Sequence, residues 1–229
     1  MIVLGIETAT TICGAALVRD GVLAGEASLD ARNVHAERLL EQIDDVLRGA
    51  GCTAADLGGI AVSSGPGSFT GLRIGMSVAK GLAYAGSIPL VGVSTLEALA
   101  RHAAARAGTG PGVTVLAVLD ARRDEVYCQL FRNGEGGLEP EGEVADMTVA
   151  DLRERIAGRS VLAAGDGTQK AFGPEGAREA GWRAAGGDAG ACSAAEVALL
   201  GARMLAAGRR DDPATLEPRY IKEFFLRTP

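Results

Sequence analysis

At 229 residues, with 47% apolar side chains but only 4% aromatic ones, the chain can build a sizeable core, and that core must be Ala, Val, Leu, Ile and Gly. A net charge of −6 and a pI near 5.1 argue against the chain itself being the main nucleic-acid platform. Four scattered cysteines without a C-x-x-C pair, and no histidines besides His35 and His102, give no disulfide framework, zinc knuckle or histidine metal site.

The opening, MIVLGIETATT, lacks a basic leader region and meets Glu7 after a few apolar residues. No apolar run approaches the roughly 18 residues of a membrane span, so a soluble, cytoplasmic chain with no membrane partner is expected. Residues 2–6 read as a first strand, 12–18 as a second, and Arg19-Asp20-Gly21 supplies hairpin-turn chemistry before a third strand at 22–29. Over 35–48, Leu39, Leu40, Ile43, Val46 and Leu47 make one helical stripe, closed by Gly49 and Gly51. A buried strand at 59–63 enters the Gly65-Pro66-Gly67 turn, and a helix opens at Ser68 and runs to 86. A strand at 88–93 and an alanine-rich helix at 95–107 follow, the latter starting near Ser94.

Residues 108–112, GTGPG, form the clearest linker, and the opening pattern then recurs. Val113 to Leu119 is an apolar strand ending at Asp120; Glu125 to Phe131 is a second, followed by a turn at Arg132-Asn133-Gly134. Glu7 and Asp120 take matching places in the two units. Beyond them lie a short helix at 148–157, a strand at 160–164, a turn at 165–167, an irregular Gly/Ala-rich stretch at 173–191, and a strong helix at 193–207 with Ser193 as N-cap. A strand–acid–hairpin unit repeated in two lobes resembles the actin, hexokinase and Hsp70 fold. The α/β architecture expected is therefore actin-like (ASKHA), with a mixed sheet flanked by helices in each lobe. The N-terminal lobe is placed at 1–108 and a smaller C-terminal lobe at 109–229, its aromatic tail docking back.

The motifs leave alternatives open. Gly65-Pro66-Gly67-Ser68 either presents free N–H groups to an anion or is a tight strand-to-helix turn. It is no Walker A loop, because no Gly-Lys-Ser/Thr follows. Glu7 with Thr8, and Asp120, at strand ends, either face a nucleotide in a cleft or bind loop amides. Ser63, Ser64 and Ser68 lack the G-x-S-x-G setting of a serine hydrolase. The helix at 68–86 carries Gly71, Gly75 and Gly81, each costing about 1 kcal/mol against Ala in a helix interior. It shows one apolar stripe (Phe69, Leu72, Met76, Ala79, Ala83) and one small-residue stripe (Gly71, Gly75, Val78, Leu82). The second stripe either packs on the chain's own sheet or forms a subunit contact.

The block GPGSFTGLRIGMSVAKGLAYAGSIPLVGVSTLEALA, with IETATTICGAAL, His35-Ala36-Glu37-Arg38-Leu39-Leu40, LDARRDEVYCQLF and the tail Glu217-Pro218-Arg219-Tyr220, resembles the bacterial TsaB (YeaZ) family of that superfamily. The resemblance implies a subunit working with the catalytic TsaD and the small ATPase TsaE to install threonylcarbamoyl on adenosine 37 of tRNA. TsaD-like chains carry two metal histidines where this one has Thr95 and Leu99, and an aspartate where this one has Ala194. The resemblance thus implies no catalytic residue and no metal here. It implies no cofactor required by the chain alone, ATP or ADP at the partner interface facing Glu7, Thr8, Gly65, Gly67 and Asp120, and tRNA contact only through the complex. His35, Leu39, Ile43, Gly71, Leu72, Gly75, Met76 and Ala79 are expected to meet TsaD, or a second copy when the chain is alone. On that reading a Gly75→Trp variant blocks association and leaves the fold intact. The competing expectation is an autonomous actin-like phosphotransferase or ATPase using Glu7 and Asp120.

Overall fold

A computed structural model describes residues 1–32, 34–134, 137–173 and 181–221. The first sheet has the order β3-β2-β1-β4-β5: β1 Ile2–Glu7, β2 Ile12–Arg19, β3 Val22–Asp30, β4 Gly59–Gly65 and β5 Leu90–Ser94. β1, β2 and β3 form an antiparallel meander, whereas β4 and β5 run parallel to β1. The β2–β3 turn holds Asp20 and Gly21 at φ 52° and 81°, the positive pair that a tight hairpin turn demands. Parallel strands need crossovers, supplied by α1 (His35–Gly49) and α2 (Phe69–Gly86) on one face. Leu39, Ile43, Val46 and Leu47 of α1 and Met76, Ala79 and Ala83 of α2 bury against Leu4, Ile6, Leu17, Ile60 and Val62.

The second sheet repeats this plan in the order β10-β9-β6-β7-β8: β6 Thr114–Asp120, β7 Glu125–Gly134, β8 Gly137–Thr148, β9 Val161–Ala164 and β10 Trp182–Ala184. β6, β7 and β8 are the antiparallel meander, and β9 and β10 the parallel pair, so β6 is the counterpart of β1. The repeated opening pattern therefore corresponds to one topology used twice. α4 (Val149–Arg155) and α5 (Thr168–Phe172) cover one face, with Leu152, Ile156 and Phe172 against Leu116, Val118 and Val161.

Three readings need correction. β7 continues through Gly134, where a turn was expected at 132–134. β8 was missed because GLEPEGEVADMT looks like a loop: it holds Pro140, and Gly142 at φ 86°. Both are tolerated because β8 is an edge strand that needs only one partner. Within the stretch expected to be irregular, β10 and a 3-10 turn at Gly187–Gly190 are ordered, and 174–180 lie outside the described residues.

Each lobe takes one helix from the other half of the chain. α3 (Thr95–Ala107) lies before the linker, yet Leu96, Leu99, Ala100 and Ala103 pack on Val115, Ala117, Leu119 and Leu162 of the second sheet. α6 (Ala194–Ala206) comes from the second half, yet Ala194, Val197, Ala198 and Leu205 cover Val3, Ala16, Ala61 and Val91 of the first. At Gly5 a Cβ would lie 2.5 Å from the backbone of both Ala194 and Ala198, so the glycine lets α6 sit directly on β1. The chain thus crosses the 108/109 division twice through its helices. The C-terminal segment returns to the first lobe as well. Asp211 bridges Leu90 at the β5 edge, its Oδ2 accepts from Gly92 N at 2.8 Å, and Arg219 N donates to Ser64 O at 2.6 Å. Lys222 to Phe225, the rest of the aromatic tail, lie outside the described residues. Among the described residues no helix is long and apolar enough to cross a membrane.

Candidate functional site

The turn after β1 lies against the start of α2. Ser68 caps the helix, its Oγ accepting from Gly71 N at 3.3 Å, while Ser68 N donates to Ala9 O at 2.6 Å. A Cβ on Gly67 would overlap the Ala9 carbonyl oxygen, one on Gly71 the Thr8 carbonyl oxygen, and one on Gly75 the Thr8 hydroxyl. The glycines therefore clear room for the chain's own Thr8-Ala9 segment. Gly65 N donates to Thr95 Oγ1 at 3.2 Å, and a Cβ at Gly65 would lie 2.8 Å from Arg219 O. The turn is a tight strand-to-helix junction in which the Gly65, Ser68 and Gly71 amides are engaged within the chain.

Glu7 has no exposed surface. Its Oε1 accepts from Ala9 N at 2.6 Å, while Oε2 and the buried Thr8 Oγ1 have no hydrogen-bond partner among the described residues. Burial pushes the Glu7 carboxyl up to about 7, against the pull of the Ala9 amide, the Ser63 hydroxyl and the Thr8 amide. Burial, and secondarily the Glu7 charge, raise the Cys13 thiol, and the same two causes lead for Cys192. Glu7 and Thr8 thus do not face an open cleft, contrary to the expectation for a nucleotide-facing pair. Asp120 is exposed: it accepts from Arg122 N at 2.6 Å and pairs with Lys170, while Asp120 N donates to Asp166 Oδ1 at 2.9 Å. The turn it precedes holds Arg122 and Arg123 at φ 70° and 49°. The structure brings Glu7, Thr8, Gly67, Gly71 and Gly75 together, and leaves Asp120 in the other lobe's turn.

The residues expected to meet a partner all point inward. His35, Leu39, Ile43, Gly71, Leu72, Gly75, Met76 and Ala79 are buried within the chain. His35 Nε2 lies 3.2 Å from Ile12 O; Leu39, Ile43, Met76 and Ala79 serve the first lobe's core, Gly71 and Gly75 the Thr8 contact, and Leu72 lies beside Gly65. Their faces are spent on the sheet, because a helix on a sheet must bury its most apolar stripe there. The expected Gly75→Trp variant cannot leave the fold intact. The outward surface was read only in part: Val78 and Leu82 of the second stripe, with Ile74, are half-buried beside open space at Gly81, whereas Leu40, expected on the buried stripe of α1, is 59% exposed, and Tyr84 is 87% exposed. The four-residue spacing of Ile74, Val78 and Leu82 carried that signal, hidden by a helix that is apolar on two sides.

The positions matched to TsaD-like metal ligands have structural duties. Thr95 accepts from Gly65 N, Leu99 is in the second lobe's core, and Ala194 packs on the first sheet. Among the described residues, no group of three His, Cys, Asp or Glu side chains converges in a way that fits a metal.

The family described as "TsaD: tRNA N6-adenosine threonylcarbamoyltransferase" matches residues 28–174. The chain is 33% identical over 226 residues to the tRNA threonylcarbamoyladenosine biosynthesis protein TsaB of Escherichia coli (strain K12), covering 97% of this chain and 95% of that one. Its structure is similar to that of YeaZ from Pseudomonas aeruginosa, with a TM-score of 0.80, 29% identity, and coverage of 96% of this chain and 99% of that chain. It is also similar, in fold alone, to the ROK hexokinase of Thermus thermophilus, with a TM-score of 0.50, 16% identity, and coverage of 90% of this chain and 100% of that chain. Two mixed sheets flanked by helices make this the actin-like architecture.

Proposed function

The chain belongs to the TsaB (YeaZ) family, and from that premise we propose that it is the dimerisation and scaffold subunit of a tRNA threonylcarbamoyladenosine-forming complex. Its catalytic partner in this reading is the TsaD relative, with TsaE and tRNA joining through the assembly. The observation that carries the reading is the outward apolar surface of α1 and α2. Leu40, Ile74, Val78 and Tyr84 remain available after the core stripe is complete. A pair of helices offering a second apolar face suits a helical counterpart of similar shape, either TsaD or, without it, another copy of this chain. The chain itself contributes no chemistry in this reading, since Thr95, Leu99 and Ala194 stand where the TsaD-like relatives carry ligands. Nucleotide, if it joins, belongs to the assembled interface. An autonomous ATPase is disfavoured by the enclosure of Glu7.

Reconstituted tRNA modification with and without the chain tests this. Omission should abolish product, and the chain alone should neither form product nor turn over ATP. Product at an undiminished rate without the chain, or ATP turnover by the chain alone, overturns the proposal. A Val78→Asp variant, placed on the outward face, should weaken the TsaD complex at least tenfold, in keeping with an interface anchor worth on the order of 1–2 kcal/mol. Unchanged affinity would move the docking face elsewhere.

A further inference from the structure

The turn after β6 holds two consecutive arginines in the left-handed region, Arg122 at φ 70° and Arg123 at φ 49°. That conformation drives Cβ against the following carbonyl oxygen, and a tight hairpin that needs it ordinarily uses Asn and Gly. The connection itself does not need it. The equivalent turn of the first lobe, residues 8–11 between β1 and β2, has the same length and the same acid-to-amide bond at its start, yet none of its residues has a positive φ. The strain belongs to the arginines' turn alone of this pair. That turn is held from several sides. Arg122 N donates to Asp120 Oδ1 at 2.6 Å, Ala121 N to Glu125 O at 3.1 Å, and Glu125 N to Arg122 O at 3.1 Å. Val149 N, at the start of α4, donates to Asp124 O at 2.9 Å, and Lys170 Nζ of α5 to Glu125 O at 3.3 Å. These bonds fix the backbone and leave the arginine side chains unused. Both residues are exposed, and among the described residues neither guanidinium has an ion pair or hydrogen bond. Asp120, the acid at the start of the turn, is paired with Lys170 instead.

We propose that Arg122 and Arg123 are a phosphate clamp through which this chain touches the backbone of the tRNA directly. The choice of RNA rests on the function proposed above; the anion chemistry does not. A guanidinium is always charged, and its planar fork matches two phosphate oxygens at once. Setting both forks on a turn braced by α4 and α5 means that little backbone freedom is lost when the anion arrives. The chain as a whole carries a net charge of −6 and repels RNA. Contact is therefore confined to places where cations stand unanswered, and this turn is one. Phosphate contacts fix position and register without reading sequence. That suits a subunit that holds the substrate in place while the chemistry lies elsewhere. The backbone strain is tolerated because it keeps two adjacent cations at the tip of a hairpin, where Asn-Gly would make the better turn and no clamp.

Filter binding of unmodified tRNA to the complex of the full chain with TsaD, between about 50 and 200 mM salt, tests it. An Arg122→Asn/Arg123→Gly variant should raise the urea midpoint of the chain, because the turn is relieved. The same variant should weaken tRNA binding on the order of tenfold and make the log–log salt slope shallower by about 1.5, the share of two phosphates. Arg122→Lys/Arg123→Lys, which keeps both charges, should keep the slope. An unchanged slope in the Asn-Gly variant overturns the proposal, as does an equal loss of slope in the Lys variant. Loss of ATP binding with tRNA binding intact would assign the pair to a free nucleotide and overturn it too. Assembly with TsaD is read separately by size-exclusion chromatography. Failure to assemble counts against the scaffold reading, and the slope measured on the chain alone then decides the clamp.

Discussion

Glu7 and Asp120 stand at the same place in two copies of one topology, each at the end of the central strand of its sheet. Each accepts the amide two residues on, at 2.6 Å in both cases. There the likeness stops. Glu7 is enclosed where the turn after β1 meets the start of α2, and burial lifts its carboxyl to about 7. Asp120 stays in water and pairs with Lys170 of α5. One local turn thus gives a carboxyl held close to neutrality in one lobe and an exposed ion pair in the other. The difference comes from what the neighbouring helix does: α2 brings glycines up to the turn, whereas α5 brings a lysine.

The largest effect is expected where α2 closes on the Thr8 turn. Gly71→Val should destabilise by about 3 kcal/mol or more, because even a Cβ overlaps the Thr8 carbonyl oxygen. Gly81→Ala on the same helix meets nothing within 4 Å and should be neutral or stabilising by up to about 1 kcal/mol. Urea unfolding of the two variants checks the contrast, and equal stabilities would mean that α2 does not press on the turn.

The second effect is on pH dependence. The folded value of about 7 for Glu7 lies above the ordinary 4.5, so the unfolded chain gives up that proton first as pH rises. The associated stability is complete below about pH 4.5 and is lost as pH climbs through 7. At 1.36 kcal/mol per pH unit the total is about 3 kcal/mol. Glu7→Gln should flatten this fall. Denaturant melts at pH 5 and pH 8 measure it, and an identical slope in the wild type and the variant would dismiss Glu7 as its source.

Asp120→Asn should cost the least, below about 1 kcal/mol, and the loss should shrink in salt because the pair with Lys170 is solvent-accessible. A larger, salt-insensitive loss would make the two acids alike after all.

Much of the architecture was written in short stretches of chain. Ser68, Ser94 and Ser193 each accept an amide three residues on, as their positions before apolar-periodic runs predict. Gly108 ends α3 at φ 59°. The apolar runs of β1, β4 and β6 are buried strands, and the repeat of strand, acid and hairpin is a repeat of topology. These are local quantities, settled within one turn of helix or one strand. The edge strand β8 escaped notice for the opposite reason: with one neighbour it tolerates Pro140, so little in its composition marks it.

The candidate site divides along the same line. The residue types around the Gly65 to Gly75 segment announced close contact, but whether with a partner, a phosphate or the chain itself was undetermined. Thr8 and Ala9 answer it, some sixty positions away in sequence and adjacent in space. The same holds for Gly5 beneath α6, for the exchange of α3 and α6 between lobes, and for the burial of Glu7. Periodicity shows that a helix has an apolar face, but on α2, apolar on two sides, it cannot say which face the sheet claims. That choice, and the charge state of a carboxyl at a strand end, depend on desolvation by distant segments, a property that exists only once those segments are packed together.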